Sequence, residues 1–273
     1  MLKSSSFGPV ARFDLSRHLP ILGRYWTTAY LVDGMLIDSG CAHTAVDLVA
    51  LLQGKPLDLI VNTHAHEDHI GANGPLQRSR RGLRILAHAR ALPVLADPRG
   101  LQPLNPYRRL FWGWPEPSQA VCMAEGDEIK TERYSFRVIH TPGHSPDHCC
   151  LYEPDQGWLF SGDLFVGGFE RALRIDYDIW GVIASLRRIA ELPLRTLFPG
   201  SARVRHEPAE ELRAKITHLE QMGERVLELH REGMSVSGIA RSVCGRPMFL
   251  EVVTLGHFSR RGMVNSFLNR CRG

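Results

Sequence analysis

Residues 57–69 read LDLIVNTHAHEDH, an apolar run that ends in three histidines and an aspartate within six positions: His64, His66, Asp68 and His69. A continuous apolar run of this length marks a strand covered on both faces. The polar cluster therefore falls at the carboxyl end of a buried strand, where open sheets commonly place their sites. Several imidazole nitrogens buried without partners would be costly, and a surface loop has no need of that composition. A metal ion resolves the difficulty, provided the rest of the chain supplies more ligands.

The surrounding sequence supplies a frame for such a site. Residues 25–40 predict two strands about the tight turn Asp33-Gly34. Residues 43–53 have helical periodicity and are closed by Gly54 and Pro56. Further strands are expected at 83–88, 134–144, 148–154 and 157–165, an amphipathic helix at 177–192, and a final short strand at 195–200. From Glu207 onward the pattern is helical, which divides the chain into a main domain, 1–205, and a helical C-terminal region, 206–273. Residues 97–118 break the rhythm with five prolines and four aromatics. That segment is too irregular for sheet or helix, and it reads as a lid or pocket wall or as an edge-packing loop.

Two later strand ends match the first. His144 follows a strand and a Pro-Gly turn in HTPGHSPDH, and Asp163 follows a strand in FSGDLF. Imidazole nitrogens and carboxylate oxygens form the usual ligand set of zinc. Alternate residues of a loop can point the same way, so His64 and His66 can share one ion while Asp68 and His69 turn towards a second. The two oxygens of Asp163 can bridge them. No serine or cysteine nucleophile is needed: Ser39 and Ser161 read as turn or supporting residues, and the six cysteines lack any C-x-x-C pair and read as buried thiols.

THAHEDH, TPGHSPDH and SGDLF together resemble the signature motifs of the metallo-β-lactamase superfamily, over roughly residues 25–205. The resemblance implies an α+β fold, a four-layer αβ/βα sandwich of two mixed sheets, with metals at one edge and the tail as a helical C-terminal appendage. Carried over by motif, His64, His66 and His144 hold the first metal, Asp68 and His69 the second, and Asp163 bridges. The ions would be Zn2+, one or two of them, with Fe or Mn as alternatives. The implied activity is hydrolysis of a small ester, thioester or lactone-like substrate by a metal-bound hydroxide, with Asp68 orienting it or handing on its proton. One departure stands out. Hydrolases of the family complete the second site with a histidine after the last strand, and here Ser201 occupies that place in FPGSARVRHEP. Either His206 reaches back, or the second site is weakened. Tyr107, Phe111, Trp112 and Trp114 are candidates for an acyl pocket, and Arg171 and Arg174 for a substrate carboxylate.

No stretch approaches the ~18 apolar residues of a membrane span, and the N-terminus lacks the apolar core of a secretory signal, so a cytoplasmic enzyme is expected. A net charge of +4 does not by itself call for nucleic acid. Two other activities remain open: a nuclease with the same metal core, favoured by the helix-turn-helix-like SVSGIARSVCG and its nearby arginines, and a mononuclear iron enzyme acting on sulfur compounds. The glutamates of residues 207–232 weigh against the nuclease. The expected partner is a small-molecule substrate, and the tail is suited to internal packing or to a homodimer.

Overall fold

The computed structural model describes residues 1–19, 23–102 and 104–269, so Pro103 and Cys271 lie outside the described residues. Seven strands form the first sheet in chain order: β1 (Leu2–Phe7), β2 (Val10–Leu15), β3 (Thr27–Val32), β4 (Met35–Ile37), β5 (Leu59–Val61), β6 (Arg84–His88) and β7 (Val121–Met123). β1 to β4 pair antiparallel, and β4 to β7 pair parallel, with Ile60 opposite Leu36 and Ile85. Six strands form the second sheet, again in chain order: β8 (Glu128–Lys130), β9 (Ser135–His140), β10 (Cys149–Glu153), β11 (Trp158–Gly162), β12 (Thr196–Pro199) and β13 (Arg205–His206). Here β11 and β12 form the parallel pair.

The period-2 alternation of each strand sorts its side chains between two cores. Met35, Ile37 and Val61 of the first sheet meet Phe136, Val138, Leu151, Phe160 and Phe198 of the second in a shared interior. Leu36, Ile60 and Ile85 point the other way, onto helices α1 (Ala45–Leu52) and α2 (Asn73–Ser79). Ile139, Cys150, Leu159 and Leu197 point outwards from the second sheet onto α6 (Ile179–Ala190). The result is the four-layer αβ/βα sandwich. In α6, Ile179, Val182, Ile183, Leu186 and Ile189 recur at helical spacing and are buried, and the Asp178 carboxylate caps the helix by accepting the Trp180 N–H at 3.1 Å.

Between β6 and β7 the chain winds α3 (Leu92–Ala96), α4 (Pro98–Leu101) and α5 (Pro106–Phe111). Residues 97–118 are therefore partly helical, against the expectation of an irregular segment. Their prolines open the short helices, where the missing N–H is not needed. The hairpin β1–β2, whose sequence carries a run of serines, and the short strands β7, β8 and β13 were not foreseen. Residues 195–200 are followed by β13 and do not form the last strand.

The tail comprises α7 (Ala209–Arg231), α8 (Val236–Cys244), α9 (Phe249–Val253) and α10 (Arg260–Leu268). Leu212, Ile216, Leu219, Val226, Ile239 and Phe267 join the same apolar cluster as α6, and Phe258–Ser259 pairs with Leu173–Arg174. Ile239, Ala240 and Cys244 of the helix-turn-helix-like stretch are buried there, and Arg260 is paired with Glu251. Among the described residues no helix is long and apolar enough to cross a membrane. Cys41, Cys149, Cys150 and Cys244 are buried free thiols as expected, whereas Cys122 is exposed.

Candidate metal centre

Beyond β5 the chain runs through Asn62 and Thr63 into the ligand loop, and His64 and His66 turn their nitrogens towards His144 from the loop after β9. His64 Nε2 lies 2.9 Å from His66 Nδ1, and His144 Nε2 lies 3.2 and 2.9 Å from those two atoms. Nitrogens bound at ~2.0–2.1 Å to one tetrahedral ion stand about 3.3 Å apart, so this triangle has the size of a ligand set. Burial keeps all three rings neutral, with His64 and His66 held well below the usual histidine range and His144 at about 3. Neutral imidazoles have the free lone pair that a metal requires.

The hydrogen bonds behind the rings set which nitrogen is free. Asp38 accepts from the Thr63 N–H at 2.8 Å and from the Thr63 hydroxyl at 2.7 Å. With that hydroxyl committed as a donor, Thr63 Oγ1 accepts from His64 Nδ1 at 3.0 Å, and His64 Nε2 is left bare. The same carboxylate accepts from His69 Nδ1 at 2.7 Å, which aims His69 Nε2 at Asp163 and Asp68. His148 serves Asp163 in a parallel way. Its Nε2 accepts the Asp163 N–H at 3.2 Å, so its Nδ1 donates to Thr141 Oγ1 at 2.8 Å. Asp147 ties the two ligand loops together by accepting the Ala65 N–H at 2.8 Å.

A second group forms around His64, His69 and Asp163. Asp163 Oδ2 lies 3.7 Å from His144 Nε2 and 3.5 Å from His69 Nε2, between the two groups, and Asp68 Oδ2 lies 3.9 Å from His69 Nε2. His69 Nε2 and Asp163 Oδ1 are buried with no hydrogen-bond partner among the described residues. Burial disfavours a charged His69, but Asp38, Asp163 and Asp68 outweigh it and hold the ring well above its usual range. Burial, with Glu67 and Asp163 nearby, pushes Asp68 up to about 7. Three carboxylates around one imidazole leave an excess of buried negative charge, and a divalent cation would offset it. The residues present thus fit one or two metal ions.

Gly200 and Ser201 reach this centre from the end of β12. A Cβ on Gly200 would sit 2.5 Å from Asp163 Oδ1 and 2.9 Å from His69 Cε1, so only glycine lets the backbone pass there. His206 does not reach back. It pairs with Thr196 on β13, and its ring centroid lies 6.4 Å from that of Phe7, outside both ligand groups.

A cavity of about 350 Å³ stands over the centre. Tyr107 and Trp112 line it, as the pocket-wall reading of 97–118 expected, together with Tyr25, Trp26 and Arg174. Phe111 packs edge-on against Tyr25 with centroids 4.5 Å apart, and Trp114 lies beneath Arg99 and Arg109, so neither faces the cavity. Arg171 is exposed and does not line it either. The tail adds Leu250, Thr254 and Phe258, and the Tyr107 hydroxyl meets His257 Nδ1 at 2.7 Å. A buried Arg108–Glu67 ion pair anchors α5 to the ligand loop. Sequence reasoning missed Asp38, Thr63 and Glu67. It quoted His148 within its motif but gave that residue no role.

Residues 24–201 match the sequence model of the metallo-beta-lactamase superfamily. A hydroxyacylglutathione hydrolase from Bdellovibrio bacteriovorus is 30% identical over 168 residues, covering 59% of this chain and 55% of that protein. The chain thus spans about half the length of that curated relative. A beta-lactamase domain protein from Burkholderia ambifaria shares the fold with a TM-score of 0.69 over 98% of this chain and 88% of its own, at 20% identity. The protein TTHA1623, solved in a di-iron-bound form, is 31% identical with a TM-score of 0.54 over 72% of this chain and 96% of its own.

Proposed function

The chain belongs to the metallo-beta-lactamase superfamily, and from that membership we propose that it is a metal-dependent hydrolase of small esters and thioesters. The observation that carries the proposal is the convergence of His64, His66 and His144 within 3.2 Å of one another beneath an aromatic cavity. In this reading those three histidines would hold one divalent ion, and Asp68, His69 and Asp163 would hold a second. The donor set of imidazole and carboxylate suits zinc, iron or manganese. The di-iron form of TTHA1623 supports a two-ion centre.

The bound metal supplies Lewis-acid polarisation of the scissile carbonyl and acidifies water. The protein's own groups do the rest. Asp38 sets the His64 tautomer through Thr63 and anchors His69 at Nδ1 so that Nε2 faces the centre, and His148 holds the Asp163 backbone. Asp68, beside Glu67 and Asp163 at the floor of the cavity, is placed to orient water and to move a proton between it and the leaving atom. Tyr25, Trp26, Tyr107 and Trp112 line the cavity over the reacting centre and exclude bulk water from it. The acylglutathione hydrolase relative favours a thioester over a lactam, because thiolate is the better leaving group at a site with a single proton carrier.

The test is a panel of substrates presented to protein loaded in turn with zinc, iron and manganese. Thioester turnover abolished by a chelator and restored by metal is the expected result. RNA cleavage without thioester turnover, or oxygen uptake with a thiol substrate, would replace this reading with one of the two alternatives.

A further inference from the structure

A second, smaller chamber of about 210 Å³ opens from the same metal edge. It shares Asp163, Val166, Tyr177, Ser201 and Phe258 with the aromatic cavity and runs on between Ala172, Leu173, Ile179, Val182 and Leu219. All but Ala172 of the latter belong to the apolar cluster around α6 and α7, and Ala172 is itself buried. Protein cores hold few voids larger than a water molecule, because an unfilled void forfeits packing contacts. An apolar void of this size, open to the reacting centre, is better explained as a binding volume than as a packing fault.

We propose that this chamber receives the acyl chain of the substrate, and that Ser201 is the specificity-determining residue that opens it. The inference rests on the hydrolase reading above and deepens it: the substrates are thioesters and esters of unbranched acyl groups of medium length. Ser201 borders both spaces. The backbone before it cannot retreat, because Gly200 already lies against Asp163 and His69. Ser201 stands at the junction of the two spaces with Asp163, Val166, Tyr177 and Phe258, and its side chain is the smallest of the five. A hydroxymethyl leaves the passage open, and an imidazole there would fill it.

The chamber sets a length limit. At roughly 30 Å³ for each water-sized unit it holds about seven units, enough for a chain near octanoyl. Glu170 lines it as well, with one oxygen bonded to the buried Lys215 and Oε2 buried without a partner among the described residues. A carboxylate in the wall disfavours acyl groups that end in a second carboxylate.

The experiment measures kcat/KM across acyl thioesters of one thiol, from acetyl to tetradecanoyl, on the metal-loaded enzyme. Calorimetry of octanoate binding to the zinc-loaded protein runs alongside it. Each methylene should raise kcat/KM about three- to fourfold until the chamber is full, near octanoyl, with a fall beyond. Ala172→Phe, which fills the chamber, should lower the ratio of octanoyl to acetyl turnover roughly tenfold or more and abolish octanoate binding. Leu219→Ala, which enlarges the chamber, should move the optimum to longer chains and covers the case in which the larger residue prevents folding. A chain-length profile that is flat, or that neither variant changes, overturns the inference and leaves the hydrolase reading standing. Octanoate binding that Ala172→Phe removes, with no thioester turned over, supports the chamber and defeats the hydrolase reading.

Discussion

Replacing Asp38 with asparagine tests whether one buried carboxylate orients two ligand histidines. Asp38 has φ +57° and is 2% exposed. Asparagine tolerates that left-handed backbone as well as aspartate does, so the exchange alters chemistry without adding strain. The amide oxygen can still accept the Thr63 N–H. The amide nitrogen then stands where Oδ2 accepted from both the Thr63 hydroxyl and His69 Nδ1, at 2.7 Å each. A donor facing two donors loses both bonds. The charged bond to His69 is worth about 1.5–3 kcal/mol and the hydroxyl bond about 1 kcal/mol, so metal-free Asp38→Asn should unfold in urea with stability lower by roughly 2–4 kcal/mol. The freed Thr63 hydroxyl can turn and donate to His64 Nδ1, which moves the His64 proton onto Nε2, the atom needed for metal. Both ion sites should therefore weaken by about 10–100-fold, read by calorimetric titration of zinc into metal-depleted protein. Zinc affinity within about threefold of native at every site would refute the relay from Asp38 through Thr63.

Three further outcomes follow from the same geometry. Arg108→Ala leaves Glu67 buried and unpaired, and should lower stability by about 3–5 kcal/mol in denaturant titration. Gly200→Ala drives a Cβ to within 2.5 Å of Asp163 Oδ1, so metal content by elemental analysis should fall at the site shared by Asp163 and His69, while the three-histidine site keeps its ion. The buried rings of His64, His66, His144 and His148 have folded pKa values below the unfolded value, so the unfolded chain binds more protons and their contribution to stability is lost as pH falls from about 6.5. His69, held above its usual range, acts in the opposite sense. Urea denaturation of metal-depleted protein from pH 7.5 to 5 should show the net loss, and a midpoint that rises on acidification would contradict it.

The parts of the fold that the sequence announced are those whose burial leaves a periodic mark. β5, β9, β10 and β11 are covered on at least one face and read as apolar runs, and α6 and α7 carry apolar stripes at helical spacing. The hairpin β1–β2 left no such mark, because LKSSSF is an edge strand with its serines in solvent. β7, β8 and β13 span two or three residues each, too short for a period to register. In the candidate site, His64, His66, His144 and Asp163, which the structure brings together, stand out in the sequence because they crowd at strand ends with fixed spacing. Asp38 was not, because its partners are 25 and 31 residues away, and a lone aspartate after a strand looks like any turn residue. The pairing of Arg108 with Glu67 across 41 residues was hidden for the same reason.

The site is assembled from two levels of the chain that can vary independently. The candidate ligands and their supports, from Asp38 to Asp163, lie on loops at the ends of strands in the sandwich, where hydrogen bonds from behind orient the rings. The roof comes from elsewhere: Tyr107 and Trp112 from the segment between β6 and β7, and Leu250, Thr254 and Phe258 from the tail. The roof segment is tied to the centre by the Arg108–Glu67 pair and by Gln102, which donates to the Ala65 carbonyl at 3.0 Å, and Ser201 borders both cavities. A substitution at Ser201 should therefore change which acyl groups enter while leaving the three-histidine site intact, whereas one at Asp38 should disturb the metals whatever the substrate. Measuring zinc affinity and chain-length preference on both variants separates the two levels, and a Ser201 variant that loses zinc from the three-histidine site would show that they are not separate.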